Sequence, residues 1–358
     1  MDAPSPPMRL VVRLPNWLGD IVMALPALRA VRAHWPDAHL AVAVPRAFAP
    51  LADVAGVDAV VPLVPARGWR DRQAAAADAA ALAGGRFDAA LLLTNSYGSA
   101  WLARRAGIPE RWGYGGNLRS RLLTRAVPRP RRRARDVRHH ARYYGRLVEA
   151  LGCRVDAYQV RIDVPAAWRA AAARQLAARG VGEGDPIVAF APGAAYGSAK
   201  RWPPALVAAV IARVARDLHV VPVLVGTPAD RSTAQAIHAA LAADTRLGVG
   251  CGRVVDLVGE TDLPALAGVI ARARAFVSND SGAMHLSAAA GTPVVAVFGP
   301  TDEQETAPLG PHVIVRSQVW CRPCLRRECP LDHRCMRTID PAAVYLAVAN
   351  FVGGVRTS

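Results

Sequence analysis

Three short segments combine residues that can bind an anion or move a proton. In V-S-N-D-S-G-A-M-H-L, 277–286, an apolar strand ends at Ser278 and a helix opens behind it. The first N–H groups and the dipole of such a helix favour a negative group. Asp280 or Ser281 can cap that helix, and Gly282 lets an anion approach the backbone. The same residues also serve as a plain N-cap with a glycine turn. His285 stands four residues beyond Ser281, on the same face, where it can donate to an oxygen or simply fill an apolar interior. A second segment, A-P-G-A-A-Y-G-S-A-K-R-W-P at 191–203, offers free backbone amides around Gly193 and a compact, mobile ammonium on Lys200, the only lysine in the chain. A solvated surface loop is the bland alternative. The third, P-N-W-L-G-D at 15–20, ends in Asp20 at a helix start, where a carboxylate can take a proton from a hydroxyl or act as another cap. No Asp-x-Asp pair occurs anywhere, so a metal-clamped diphosphate lacks obvious ligands and the expectation is a site without metal or cofactor.

The elements that must hold these segments follow from hydrophobic period. Leu10 to Leu14, Leu40 to Val44, Ala59 to Leu63 and Ala89 to Leu93 are short apolar runs bounded by turn residues, with helical spacing over Ile21 to His34 and Asp71 to Ala83. From Pro186 the alternation restarts. Strands are predicted at Ile187–Ala191, Val220–Val225, Val254–Val258, Ala275–Ser278 and Val294–Phe298, and helices at Pro204–Asp217, Pro228–Ala243, Leu263–Ala271 and Ser281–Ala290. Such order predicts α/β architecture with parallel sheets covered by helices, in two tandem Rossmann-type domains, 8–170 and 185–345. A hinge is expected around Pro165 to Pro186, and a cleft between domains is the default ligand site.

At 358 residues, with 52% hydrophobic and 20% charged residues, the chain can build two packed cores and is not a disordered polymer. No apolar run reaches the length of a membrane span, and the first residues lack the pattern of a signal peptide, so a cytoplasmic protein is expected. The net charge of +16 suits nucleic acid, anionic lipid or an acidic substrate alike. Much of it is local: Arg104 to Arg146 contains fourteen arginines against Glu110 and Asp136. Of the six cysteines, Cys321, Cys324, Cys329 and Cys335 cluster with His333 nearby. That spacing admits a small zinc knot or simply reduced, packed thiols.

Taken together, R-L-P-N-W-L-G-D-I-V-M-A-L-P-A-L, L-T-N-S-Y-G-S-A at 93–100, A-P-G-A-A-Y-G-S-A-K-R-W-P, V-S-N-D-S-G-A-M-H-L-S-A-A and V-F-G-P-T-D at 297–302 resemble the ADP-heptose:lipopolysaccharide heptosyltransferases of glycosyltransferase family 9, in particular the heptosyltransferase II type. The likeness spans nearly the whole chain. It implies a GT-B fold, two Rossmann-like domains facing across a cleft, with acceptor bound by the first and nucleotide sugar by the second. Residue by residue it implies Asp20 as general base and Lys200 on the donor phosphates. It places Gly193, Asp280, Ser281, Gly282 and His285 around the donor, and Asp230 of V-G-T-P-A-D near the ribose, although the acidic run there is shortened. Asn16, Trp17 and Asn95 would then meet the acceptor. The implied reaction is inverting, metal-independent transfer of heptose from ADP-heptose to the anionic, lipid A-linked inner core, at the cytoplasmic face of the inner membrane. The basic patch, with Arg131, Arg132 and Arg133 at its centre, gains a purpose in holding that acceptor and touching anionic lipid peripherally. A solvated basic loop is its plain alternative.

Two rivals from other classes stay in view. A nucleic-acid-binding protein would explain the charge but leaves Asp20 and the paired α/β halves without work. An epimerase of the same fold would turn over the nucleotide sugar without an acceptor. The expectation here is no nucleic-acid partner.

Overall fold

The computed structural model describes residues 7–53, 55–64, 71–130, 138–243 and 253–353. The chain divides into two compact units, Met1–Val160 and Arg161–Ser358. The first unit carries six strands: β1 (Arg9–Arg13), β2 (His39–Pro45), β3 (Ala59–Leu63), β4 (Ala89–Leu92), β5 (Glu110–Tyr114) and β6 (Arg125–Val127). They form one sheet in the order β3-β2-β1-β4-β5-β6. Each recorded pairing is parallel, with Val12 opposite Val42 on one side and Leu91 on the other. Parallel neighbours need crossovers, and helices Leu18–His34, Arg72–Gly84 and Tyr97–Arg105 supply them.

The second unit repeats the plan with β7 (Ile187–Ala191), β8 (Val221–Leu224), β9 (Val255–Asp256), β10 (Ala275–Asn279), β11 (Val294–Phe298) and β12 (His312–Arg316), ordered β12-β11-β10-β7-β8-β9. Every residue of β7, β10 and β11 is buried, which is why these strands read as unbroken apolar runs rather than as alternation. Helix Pro204–Leu218 lays Val207, Ile211 and Val214 on Val188 and Phe190, and helix Pro341–Val352 adds Val344 and Val348 to the same core. The α/β, GT-B-type fold class is therefore borne out: two parallel six-stranded sheets, each with covering helices.

Helix Ala166–Ala178 belongs to the second unit, although the sequence reading placed residues 161–170 with the first segment. Its Trp168 carbonyl sits where a Cβ on Gly268 would come within 2.3 Å, so the helix lies directly against Leu263–Arg272, and the Ile162 amide bonds the Ala289 carbonyl at 2.8 Å. None of the described helices is long and apolar enough to cross a membrane.

In each sheet the strand order reverses once, between β1 and β4 and between β7 and β10. Open α/β sheets collect ligands beyond the carboxyl ends of strands at such switch points. All three chemistry-bearing segments leave switch-point strands: P-N-W-L-G-D follows β1, the Lys200 loop follows β7, and D-S-G follows β10.

Candidate functional site

The second unit joins its two segments directly. Lys200, at the end of a short turn Ser198–Lys200, places Nζ 2.6 Å from Asp280 Oδ2. The two side chains are 12% and 5% exposed, so the pair is well shielded from water. The ammonium also lies 4.7 Å from the centre of the Tyr196 ring, and Thr306 Oγ1 donates to Asp280 Oδ1 at 3.4 Å. Asp280 thus holds a lysine and does not cap the helix.

Nor does Ser281 cap it. Ser278 Oγ donates to the Asn279 carbonyl at 2.7 Å, so in the 2.9 Å contact between Ser278 and Ser281 it is Ser281 that donates. Helix Gly282–Ala290 begins with no side-chain cap. Its first amides, beginning at Gly282, can meet an anion, with Lys200 beside them. His285, one turn in, is 4% exposed and lies within the packed interior.

Asn279 organises this region, and sequence reasoning overlooked it although it begins the N-D-S-G run. Its buried Nδ2 donates to the Pro192 carbonyl at 2.7 Å and the Gly193 carbonyl at 3.3 Å. Its Oδ1 accepts from the Trp202 amide at 3.3 Å. One side chain from the end of β10 therefore fastens both ends of the Lys200 loop. Gly193 is tightly placed: a Cβ there would stand 2.3 Å from the Asp230 carboxyl group. Asp230 itself is 7% exposed and closes a capping box, its Oδ2 accepting from the Thr227 amide at 2.9 Å and hydroxyl at 2.7 Å. The structure gives it a turn-holding job against Gly193.

The far side of the loop is gripped by the cysteine-rich segment. The Ala199 amide donates to the Arg327 carbonyl at 3.0 Å, Tyr196 OH to the Leu325 carbonyl at 2.8 Å, and His333 Nε2 lies 2.7 Å from the Ala199 carbonyl. Cys321, Cys324, Cys329 and Cys335 line one cavity as free thiols. Burial, with the neighbouring Cys321, Cys324 and Cys329, pushes the Cys335 thiol up to about 11. Among the described residues no group of three or more His, Cys, Asp or Glu side chains is arranged to hold a metal.

In the first unit Asp20 is the third residue of helix Leu18–His34, whose N-cap position is Trp17 and whose start has no side-chain cap. The carboxylate is free for other work, 25% exposed. Tyr144 OH donates to its Oδ1 at 3.2 Å, and His140 Nδ1 lies 3.3 Å from the same oxygen. Burial and then the Asp20 charge hold the Tyr144 phenol well above its ordinary range, so it stays a donor. Tyr144 and His140 sit on helix His140–Glu149, and nothing in the sequence had marked them.

Trp17 is 58% exposed beside this carboxylate's helix, and Asn16 Oδ1 accepts from Arg13. Burial lowers that arginine to about 10, against the opposing pull of Asp78. Asn95, just past β4, donates from Nδ2 to Tyr143 OH at 2.9 Å, and its carbonyl accepts from Arg129 Nη2 at 3.3 Å. Asp20 and Asn95 thus both follow strands of the β1/β4 switch point. Arg131, Arg132 and Arg133 lie outside the described residues.

Residues 77–334 match the sequence model of glycosyltransferase family 9 (heptosyltransferase). Lipopolysaccharide heptosyltransferase 2 of Escherichia coli (strain K12) is 30% identical over 307 residues, 84% of this chain and 86% of that protein. The structure of an E. coli ADP-heptose lps heptosyltransferase II is similar with a TM-score of 0.77 at 26% identity, covering 97% of this chain and 99% of the other. A glycosyl transferase family 9 structure from Veillonella parvula shares the fold at a TM-score of 0.80 and 20% identity, with 97% of both chains covered.

Proposed function

The chain belongs to glycosyltransferase family 9, and from that premise we propose that it moves a heptose from ADP-heptose to the anionic inner core of lipopolysaccharide, inverting the anomeric carbon, with Asp20 as base. The similar E. coli proteins carry lipopolysaccharide and ADP-heptose in their names, and the motifs around both switch points are consistent with such substrates.

One observation carries the donor half of the reading: the helix at Gly282 begins without a side-chain cap while Lys200 stands beside Asp280 at its mouth. A diphosphate needs that combination of free amides and one mobile cation. On the acceptor side, Asp20 takes the proton from the attacking hydroxyl, held in orientation by Tyr144 and His140. The oxygen forms its bond to the anomeric carbon as the bond to the ADP oxygen breaks, and the electron pair leaves on the diphosphate. Lys200 and the helix-start amides take up that charge, which is why the reading requires no metal. A single displacement inverts the centre. Catalysis takes place on the cytoplasmic side, and the arginine-rich first unit draws the enzyme peripherally to anionic lipid.

The test is Asp20→Asn assayed with ADP-heptose and a heptose-accepting core. Losing the base costs roughly 10²–10⁴-fold in kcat, with ADP binding intact and the wild-type rate unchanged by chelator. A variant that keeps a tenth of the wild-type kcat removes Asp20 from the base role. Chelator-sensitive activity restored by magnesium removes the metal-free step.

A further inference from the structure

Four thiols meet behind the Lys200 loop. Cys321, Cys324, Cys329 and Cys335 line one cavity of about 270 Å³, and its wall includes Ala199, the residue before Lys200. They differ in reach: Cys324 is exposed, Cys321 and Cys329 are half-buried, and Cys335 is buried. The sulfurs are near enough to act on one another, because Cys335 is raised by burial and then by the other three, to about 11. At that value Cys335 stays a thiol at neutral pH and reacts slowly, which leaves the three more accessible cysteines as the reactive set.

Their spacing matters for the loop. Cys324 and Cys329 bracket L-R-R-E at 325–328, and this stretch grips the Lys200 loop: the Leu325 carbonyl accepts from Tyr196 OH and the Arg327 carbonyl from the Ala199 amide. Contact is close, since a Cβ on Gly197 would stand 2.3 Å from the Arg327 carbonyl oxygen. Leu325 is held at φ 55°, in the left-handed region that a bulky side chain rarely adopts. The Tyr196 ring has Lys200 Nζ 4.7 Å from its centre and the Arg327 guanidinium at 5.3 Å. A bond that redirects 325–328 therefore moves both the backbone and the ring against which Lys200 rests.

We propose that Cys321, Cys324 and Cys329 form a thiol modification site through which hydrogen peroxide loosens the Lys200 loop. Cys324 as thiolate attacks a peroxide oxygen, the O–O bond breaks, and the proton shed by the thiol joins the departing hydroxide as water. The thiol of Cys321 or Cys329 then attacks the sulfenic sulfur, closing a disulfide and releasing a second water. The two sulfurs together give up two electrons, and the peroxide is reduced to water. A dithiol reopens the bond by exchange. The effect on the donor rests on the reading of Lys200 as a phosphate ligand; the loosening of the loop does not.

Lys200 is the only lysine in the chain, so a lysine-specific protease reports the loop at a single bond, Lys200–Arg201. Cleavage of folded protein tracks local opening. Peroxide treatment of the full chain should form one disulfide among Cys321, Cys324 and Cys329, located by peptide mapping. It should speed cleavage after Lys200 and raise the donor KM, each roughly 10-fold, with the acceptor KM unmoved. Dithiothreitol should reverse all of this. Cys324→Ser should match untreated wild type before and after peroxide, with Cys324→Ala in its place if serine lowers Tm, while Cys153→Ser/Cys251→Ser should respond as the wild type does. Absence of a disulfide in the segment, thiols shielded by a co-purifying metal ion until chelator is added, or a disulfide that leaves cleavage unchanged overturns the site. So does a response that survives in both Cys324 variants. Faster cleavage with an unmoved donor KM instead removes Lys200 from the donor and leaves the modification site standing.

Discussion

Replacing Lys200 by methionine leaves the Asp280 carboxylate 95% shielded with a single 3.4 Å hydrogen bond from Thr306. Breaking a buried ion pair from one side typically costs about 3–5 kcal/mol, because the surviving charge has lost its partner without regaining water. For a unit of this size, residues 161–358, each kcal/mol moves Tm by about 2–4 °C, so Lys200→Met should lower Tm by roughly 6–20 °C. Asp280→Asn should fall at the lower end, since the ammonium left behind is more exposed and faces the Tyr196 ring. The double variant Lys200→Met/Asp280→Asn carries neither orphan charge and should recover most of the loss. Thermal unfolding of the full chain by circular dichroism, as a double-mutant cycle, reads all three. The ligand role then shows separately: ADP should raise Tm of the wild type and do so less in the double variant, although that variant is well folded. Single changes costing under about 1 kcal/mol each, the range of exposed pairs, would refute the reasoning, and so would costs that simply add in the double variant.

Two further outcomes follow from the site. Burial and the Asp20 charge raise the Tyr144 phenol, so folding stability is intact below the unfolded tyrosine value of about 10 and declines as pH climbs beyond it. Tyr144→Phe should flatten that alkaline decline in urea unfolding at pH 9 to 11, and an unchanged slope would exclude the phenol as its source. Asn279→Ala removes three hydrogen bonds from the ends of the Lys200 loop, at roughly 1 kcal/mol each, and should cost about 2–4 kcal/mol while raising the donor KM. A variant with wild-type Tm and donor KM would show that the loop holds its shape without it.

Much of the fold was legible because parallel strands buried on both faces are written as plain apolar runs, as in I-V-A-F-A of β7 and V-V-A-V-F of β11. β5 escaped that pattern: E-R-W-G-Y carries two charges and a glycine. The edge strands β6, three residues long, and β12, largely uncovered, lack the contrast that marks a core strand. In the site, Asp20, Lys200 and D-S-G stood out as polar letters at strand ends. Their pairings did not, since Lys200 and Asp280 are 80 residues apart and only the β7/β10 adjacency unites them.

The grip of the cysteine-rich segment on the Lys200 loop has a consequence for local opening. The Ala199 amide, the Tyr196 hydroxyl and the Ala199 carbonyl all bond into residues 325–333, while Asn279 ties the loop ends to β10. Neither the loop nor the segment can release these bonds alone, so the two behave as one cooperative unit of native-state opening. Amide hydrogens at Ala199 and along 322–336 should exchange with a shared free energy, and modifying the thiols that line the cavity together with Ala199 should speed exchange at Ala199.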